Sequence, residues 1–124
     1  MDIIISNASG KPIYEQITDQ IKGLVLSGAL QAGDALPSMR LLAKELRISV
    51  ITTKRAYEEL EREGFVETVP GKGSFVAGKN TEFLREEKLR LVEESLAKAV
   101  DAAKGCGLAL PELQQILVIL YGEE

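Results

Sequence analysis

The 124-residue chain contains no histidine and a single cysteine, Cys106. Histidine is the commonest general base in enzymes, the usual partner of a nucleophilic serine or cysteine, and the commonest zinc ligand. A single cysteine allows neither an intrachain disulfide nor a metal site made of thiolates, and we expect it to be a buried or half-buried small apolar residue. The sequence also lacks a P-loop and a dinucleotide fingerprint. We therefore predict a protein that is not an enzyme and that has no metal site and no cofactor.

Long apolar segments are absent as well. The longest wholly apolar run extends from Ile116 to Leu120, far short of the ~20 residues that span a bilayer. The N-terminus reads MDIIIS and has an acid where a signal peptide carries bases. We expect a soluble cytoplasmic protein without a membrane partner, built as one ordinary domain or as a small domain with an appendage.

Charged residues are unevenly distributed along the chain. The net charge is −4, which by itself argues weakly against a nucleic-acid partner. Residues 79–124 contain six bases and nine acids, whereas Ser38–Arg55 contains five bases and one acid, Glu45. Because salt screens charges beyond about 8 Å, the local charge matters more to a polyanion than the total does. The basic segment therefore keeps DNA binding open.

Capping residues and turns divide the first 78 residues into three predicted helices and a hairpin. A first helix begins near Pro12 and ends at Gly28, and two short helices begin at the good N-caps Ser38 and Ser49. Two short helices this close indicate a helix-turn-helix. The segments FVETV and SFVAG then alternate like strands around the turn PGKG, which predicts a hairpin with Lys72 at its tip. A hairpin directly after a helix-turn-helix is the wing of a winged helix.

The helix that begins at Ser49 has two different faces on a wheel of ~100° per residue. Its core face is predicted to contain Thr53, Ala56, Tyr57 and Leu60. Its outward face presents Ile51, Lys54 and Arg55 in the first two turns, so only this half suits a polyanion. Our hypothesis is that Ile51, with Val50 beside it, contacts thymine methyl groups in a major groove.

The last residues contain a long helical pattern from Thr81 to about Lys104 and a very apolar helix that starts near Pro111. A short second helix cannot cover the apolar face of a helix ~36 Å long, and segments below ~70 residues rarely stabilise themselves. We therefore expect this region to form a homodimer. The apolar residues assigned to dimerisation are Leu89, Val92, Leu96, Val100, Leu113, Ile116, Leu117 and Leu120.

Together these patterns predict a mostly α fold with a small β-hairpin. A winged helix-turn-helix DNA-binding domain over residues 1–78 is followed by a two-helix C-terminal dimerisation segment over residues 79–124.

Residues 10–78 strongly resemble the DNA-binding region of GntR-type bacterial transcription regulators, including the PIYEQI start of the first helix. The positions that carry the resemblance are Gly33, Leu36-Pro37-Ser38, Arg40, Leu42-Ala43, Leu46, Ser49, Ala56-Tyr57, Leu60, Glu63-Gly64 and Gly71-x-Gly73-x-Phe75-Val76. The short two-helix C-terminal segment is similar to the YtrA subfamily, whose appendage is a dimerisation element. The resemblance implies repression of operons, often ones that encode transporters. The position after the N-cap serine is often arginine in the family, whereas it is Val50 here, so the operator cannot be transferred from relatives.

The resemblance also implies that Ser38, Arg40, Thr52, Lys54 and residues 71–73 match positions that contact DNA. With the outward helix face and the wing tip added, the predicted DNA-contacting residues are Ser38, Arg40, Ser49, Val50, Ile51, Thr52, Lys54, Arg55, Gly71, Lys72 and Gly73. Each base of this set has the alternative of being a solvated surface charge. Lys44 and Arg47 are either peripheral phosphate contacts or ordinary solubilising charges.

The leading interpretation is a homodimeric, sequence-specific repressor that binds an inverted-repeat operator in double-stranded DNA, with its recognition helices about 34 Å apart. The alternative is a winged helix that serves as a protein-interaction module, which the acidic total favours and the basic segment opposes. The sequence leaves open the operator sequence, the regulated genes, the choice between repression and activation, and the existence of a small-molecule effector.

Overall fold

The computed structural model describes residues 1–78 and 81–122. The helices and strands of these residues are α1 (Ile13–Ser27), α2 (Met39–Leu46), α3 (Val50–Arg62), β1 (Val66–Val69), β2 (Gly73–Val76), α4 (Thr81–Gly105) and α5 (Leu110–Tyr121). The chain divides into two compact units, Met1–Arg85 and Glu86–Glu124. The predicted fold class, mostly helical with a small hairpin, is confirmed. Within the described residues, no helix is both long enough and apolar enough to cross a bilayer.

Serine hydroxyls start the two short helices where the sequence predicts them. Ser38 Oγ accepts a hydrogen bond from the backbone N–H of Leu41, and Ser49 Oγ accepts one from that of Thr52, both at 3.1 Å. Each hydroxyl satisfies an N–H group that has no acceptor within its helix, which typically stabilises by about 1 kcal/mol. Gly28 ends α1 with a φ of 87°, a left-handed conformation that favours glycine. These three predictions are confirmed.

The first unit is organised around one apolar core to which its helices and hairpin all contribute. Its largest buried apolar side chains are Ile17 and Ile21 of α1, Leu42 of α2, Tyr57 and Leu60 of α3, Val66 of β1 and Val76 of β2. Full burial of one such side chain stabilises by about 1.5–3 kcal/mol, so the core determines how α3 is rotated. The buried face predicted for α3 is confirmed, and its opposite face is therefore left to solvent.

Two polar groups on the buried face of α3 bond to the backbone at the start of α2. The hydroxyl of Tyr57 donates to the carbonyl oxygen of Pro37 at 2.7 Å. The hydroxyl of Thr53 is shared between the carbonyl oxygens of Met39, at 3.1 Å, and Val50, at 2.8 Å. Burial raises the pKa of Tyr57, so its hydroxyl remains a donor at all ordinary pH values. Because buried polar groups need partners, these bonds hold α3 in a defined position against α2.

The wing is joined to the segment that leads into α2. Its antiparallel register pairs Val66 with Val76, Glu67 with Phe75, Thr68 with Ser74 and Val69 with Gly73. The backbone N–H of Leu36 donates to the carbonyl of Ser74, and that of Val76 donates to the carbonyl of Asp34, both at 2.9 Å. Residues 34–36 therefore pair with β2, and the base of the wing lies next to the N-terminal end of α2.

Two glutamines of α1 hold the N-terminal segment, a contact that no pattern in the sequence predicts. Gln20 accepts from the backbone N–H of Ile4 at 2.9 Å and donates to the carbonyl of the same residue at 2.6 Å. Gln16 binds the N–H and carbonyl of Ser6 in the same way, at 2.8 and 3.0 Å. The amide groups substitute for a partner strand, and Ile3 is buried as a result.

The first unit extends to Arg85 and includes the start of α4. Leu84 packs against the core, and the guanidinium of Arg85 donates to the carbonyl oxygen of Leu26 at 2.7 Å. The division into domains at residues 78 and 79 stays a prediction.

The second unit has little burial of its own. No residue of α5 is buried, and Ala103 is the buried apolar residue of this unit within the described part of the chain. Cys106 is exposed, so the expectation of a buried or half-buried cysteine is wrong. The reason is its position in the turn after α4, where no described residue of the unit covers the thiol, which donates to the carbonyl of Ala103 at 3.5 Å.

We predict that Tyr57→Phe lowers the free energy of unfolding by about 1–2 kcal/mol, because it leaves the Pro37 carbonyl without its donor. Urea unfolding at a fixed protein concentration measures the change. Tyr14→Phe is the matched control, since the Tyr14 hydroxyl has no hydrogen-bond partner within residues 1–78 and 81–122. Equal losses for the two variants would contradict the role assigned to Tyr57.

Candidate nucleic-acid interface

The outward side of α3 begins with an exposed apolar residue that lies between two bases. Ile51 is 81% exposed and Val50 is 42% exposed. At 3.6 residues per turn, Lys54 lies roughly 60° to one side of Ile51 and Arg55 lies roughly 40° to the other. Both basic side chains are exposed. The first two turns thus present an apolar centre with a cation on each side, an arrangement that suits a groove floor between two phosphate backbones.

The bases around this helix have no carboxylate partner in the described part of the chain. The ion pairs of residues 1–78 and 81–122 are Lys11–Asp19, Lys22–Glu63, Arg62–Glu59 and Arg90–Glu87. None of these pairs includes the bases that we call the unpaired bases, namely Arg40, Lys44, Arg47, Lys54, Arg55 and Lys72. An anionic partner would therefore not have to displace an internal carboxylate from any of them.

Hydroxyl groups and a base lie together at the N-terminal ends of the two short helices. Ser38 and Ser49 are exposed, and each hydroxyl oxygen accepts from its own helix, which leaves the hydroxyl proton of Ser38 for another acceptor. Ser49 Oγ also lies 2.7 Å from Thr52 Oγ1, where one proton is shared. Arg40 is exposed in the first turn of α2. Free donors, a cation and the positive ends of two helices together attract phosphate.

The wing tip requires glycine because of its backbone conformation. Gly71 has a φ of 79° and Gly73 has a φ of 115°, both in the region that disfavours other residues. A Cβ added at either glycine would meet no atom within 4 Å, so crowding by the chain is not the reason. The backbone N–H of Lys72 donates to the carbonyl of Val69 at 2.9 Å and closes the turn. Lys72 is exposed at this tip.

Arg55 contacts a residue that was not among the predicted site residues. Its guanidinium carbon lies 3.8 Å from the centre of the Tyr14 ring of α1. The prediction gave Arg55 the same role as Lys54 and used Tyr14 only as part of the PIYEQI resemblance. A helical wheel shows which side of a helix a residue occupies but not which neighbouring helix it touches, so the wheel did not reveal this pair.

The residues assigned to dimerisation leave a large apolar surface uncovered within the second unit. Leu113 is half-buried. The exposed members, between 37% and 74% exposed, are Leu89, Val92, Leu96, Val100, Ile116, Leu117 and Leu120. The side chains of Leu96, Val100, Leu113 and Leu117 line an open apolar groove between α4 and α5.

The described residues contain no group of His, Cys, Asp and Glu side chains arranged to hold a metal ion.

Known proteins similar to this chain are regulators. The model of the gntR family of bacterial regulatory proteins matches residues 13–76. The HTH-type transcriptional repressor YtrA of Bacillus subtilis (strain 168) is 39% identical over 113 residues, which cover 91% of this chain and 87% of that protein. A transcriptional regulator from Oenococcus oeni has a crystal structure with a TM-score of 0.72 and 29% identity, over 94% of this chain and 96% of that one. AraR(DBD) in complex with operator ORX1 matches with a TM-score of 0.55 and 22% identity, over 62% of this chain and 96% of that one, a likeness of fold alone.

Arg47 offers a test that separates backbone strain from charge. It ends α2 with a φ of 59°, a left-handed conformation that strains any residue with a Cβ. We predict that Arg47→Gly has a free energy of unfolding about 1 kcal/mol above that of Arg47→Ala, because alanine retains the strain. Urea unfolding compares the two. Both variants remove the charge. If Arg47 contacts a phosphate, the loss of that contact should weaken DNA binding equally in both variants, and unequal weakening would contradict the contact.

Proposed function

Because the chain belongs to the gntR family of bacterial regulatory proteins, we propose that it is a repressor that binds an operator in double-stranded DNA as a homodimer. The family resemblance predicted from the sequence is confirmed, and so is the absence of an enzymatic function, which follows from this membership. The observation that carries the proposal is the exposed N-terminal half of α3 with the unpaired bases around it.

The proposed readout combines base contacts and phosphate contacts. Ile51 and Val50 face the floor of a major groove, where an apolar side chain can contact a thymine methyl group. Arg40 and Lys54 bind phosphates on either side, which positions α3 without reading sequence. Lys72 enters a minor groove or contacts a phosphate from the wing tip. The hydrogen bonds that join Asp34 and Leu36 to β2 support joint binding, because they fix the wing beside the segment that starts α2.

Repression is inferred from the relative's name, since the protein from Bacillus subtilis is called a repressor. A protein bound across a promoter blocks its use, and this mechanism needs no second domain and no effector. The YtrA-like resemblance suggests an operon that encodes a transporter as the target. The protein would act in the cytoplasm, where the DNA is.

Dimerisation is proposed from the apolar surface of the second unit. A helix that is apolar on nearly every side is normally buried, yet no residue of α5 is buried here. A second copy of the unit would cover this surface and bring together two helix-turn-helix motifs. Two recognition helices in one symmetric dimer reach successive major grooves, so the operator should be an inverted repeat.

We predict that selection of bound sequences from a random duplex pool enriches an inverted repeat, and that affinity for it falls steeply with salt. Lys54→Ala should weaken binding about threefold to tenfold and reduce the slope of log affinity against log salt by about 0.9, because one phosphate contact is lost. Fluorescence anisotropy at several salt concentrations measures both quantities.

Arg62→Ala is the matched control for Lys54→Ala. It removes the same charge from the same helix, but Arg62 lies in the last turn and is paired with Glu59, so affinity should stay within about twofold. If the chain enriches no sequence and binds DNA without salt dependence, the proposal fails and the alternative of a protein-interaction module is supported.

We predict that Leu117→Glu weakens the dimer at least about tenfold, because a carboxylate would be buried against apolar side chains. Sedimentation velocity over a range of concentrations measures the monomer–dimer equilibrium. Gln115→Glu places the same charge on the opposite side of α5 and should leave the dimer unchanged. The variant Leu117→Glu should also lose its preference for two half-sites over one. A wild-type chain that sediments as a monomer would refute the assigned interface.

A further inference from the structure

The contact between Arg55 and Tyr14 joins the recognition helix to the first helix through an exposed cation. The separation of 3.8 Å between the guanidinium carbon and the ring centre is that of a guanidinium lying on the ring face. Such stacking uses the face of the guanidinium and leaves the N–H groups at its edge free. No hydrogen bond or ion pair within residues 1–78 and 81–122 uses these N–H groups.

A second cation over a ring in the same unit shows the contrasting arrangement. Lys22 lies 5.7 Å from the centre of the Phe65 ring, and its ammonium also contacts Glu63 at 2.7 Å. That cation already has an internal carboxylate and fastens α1 to the end of α3. Arg55 has no carboxylate partner among the described residues, although it also joins α3 to α1. The contact with Tyr14 therefore fixes the position of Arg55 without satisfying its charge.

The position of Arg55 on α3 indicates what its free edge meets. It lies roughly 40° from Ile51, on the side of α3 that faces α1. If Ile51 faces the floor of a groove, a residue at this angle faces the groove wall, where phosphates lie. The planar fork of an arginine matches two oxygens of one phosphate, and a fork that is already ordered loses less conformational entropy on binding.

We propose that Arg55, held on the Tyr14 ring, is a preorganised phosphate-binding group, and that Tyr14 is a positioning residue for DNA binding. The inference rests on the proposed function. It separates Arg55 from the adjacent Lys54, which has no stacking partner among the described residues and must be ordered by the DNA. It also gives the first helix a part in DNA binding through a residue that makes no contact with DNA.

The test is a double-mutant cycle with Tyr14→Leu and Arg55→Ala, measured as affinity for the selected operator. Arg55→Ala should weaken binding about tenfold and lower the salt slope by about 0.9. Tyr14→Leu should weaken it about threefold to fivefold, because the charge stays but its position is lost. Adding Tyr14→Leu to Arg55→Ala should have no further effect. Arg55→Lys should behave like Tyr14→Leu, since the charge remains and the stacked fork does not.

Two controls exclude a purely structural explanation. Tyr14→Phe keeps the ring face and should bind the operator with wild-type affinity. Tyr14→Leu should weaken binding by the same factor in wild type and in Lys54→Ala, because Lys54 does not use the ring. Urea unfolding identifies any variant whose fold is lost, and Tyr14→Phe then serves as the folded comparison.

The outcomes distinguish the inference from the proposed function. If wild type binds the operator but Tyr14→Leu weakens binding equally with and without Arg55, the positioning role is overturned and the proposed function stands. If wild type binds no DNA in a salt-dependent way, both are overturned. Coupling that appears only between Tyr14 and Arg55 supports the inference.

Discussion

The exposed face of the recognition helix depends on hydrogen bonds made by its buried face. Tyr57 and Thr53 bond to the backbone carbonyls of Pro37 and Met39, at the point where α2 begins. These bonds hold the start of α3 in a fixed position against the start of α2. Without them the apolar core would still bury the same face of α3, but apolar packing alone tolerates small shifts, whereas a buried hydroxyl must stay within reach of its acceptors. The outward direction of Ile51, Lys54 and Arg55 follows from this arrangement.

The same bonds explain the unusual composition at the start of α3. Val50, Ile51, Thr52 and Thr53 are β-branched and each slightly disfavours a helix. Thr53 is used for its hydroxyl on the inner side, and Thr52 shares a proton with the N-cap Ser49. Val50 and Ile51 remain as exposed apolar residues for which the fold has no use. A local departure from helix propensity thus marks the surface that the proposed function needs.

The elements of the first unit could be read from the sequence because their signals are local. Ser38, Ser49 and Gly28 end or begin helices through bonds to residues within four positions, and the core face of α3 follows from a period of 3.6. The contact of Arg55 with Tyr14 and the binding of the N-terminal segment by Gln16 and Gln20 join residues far apart in the chain. Such pairs depend on how helices are placed against each other, which periodicity does not encode. Cys106 was misjudged for a related reason, since a lone cysteine is buried only where a neighbour covers it.

The pairing of residues 34–36 with β2 divides the wing into two parts with different freedom to diverge. The base is part of a hydrogen-bonded ladder that continues toward α2, so substitutions there disturb the fold. At the tip, a Cβ added to Gly71 or Gly73 would meet no described atom within 4 Å, and lengthening a loop by a few residues has little effect on stability. Val50 and Ile51 are similarly free of the core. Descendants of this protein could therefore acquire a new operator by changing the wing tip and the first turn of α3 separately, with the scaffold between them unaltered.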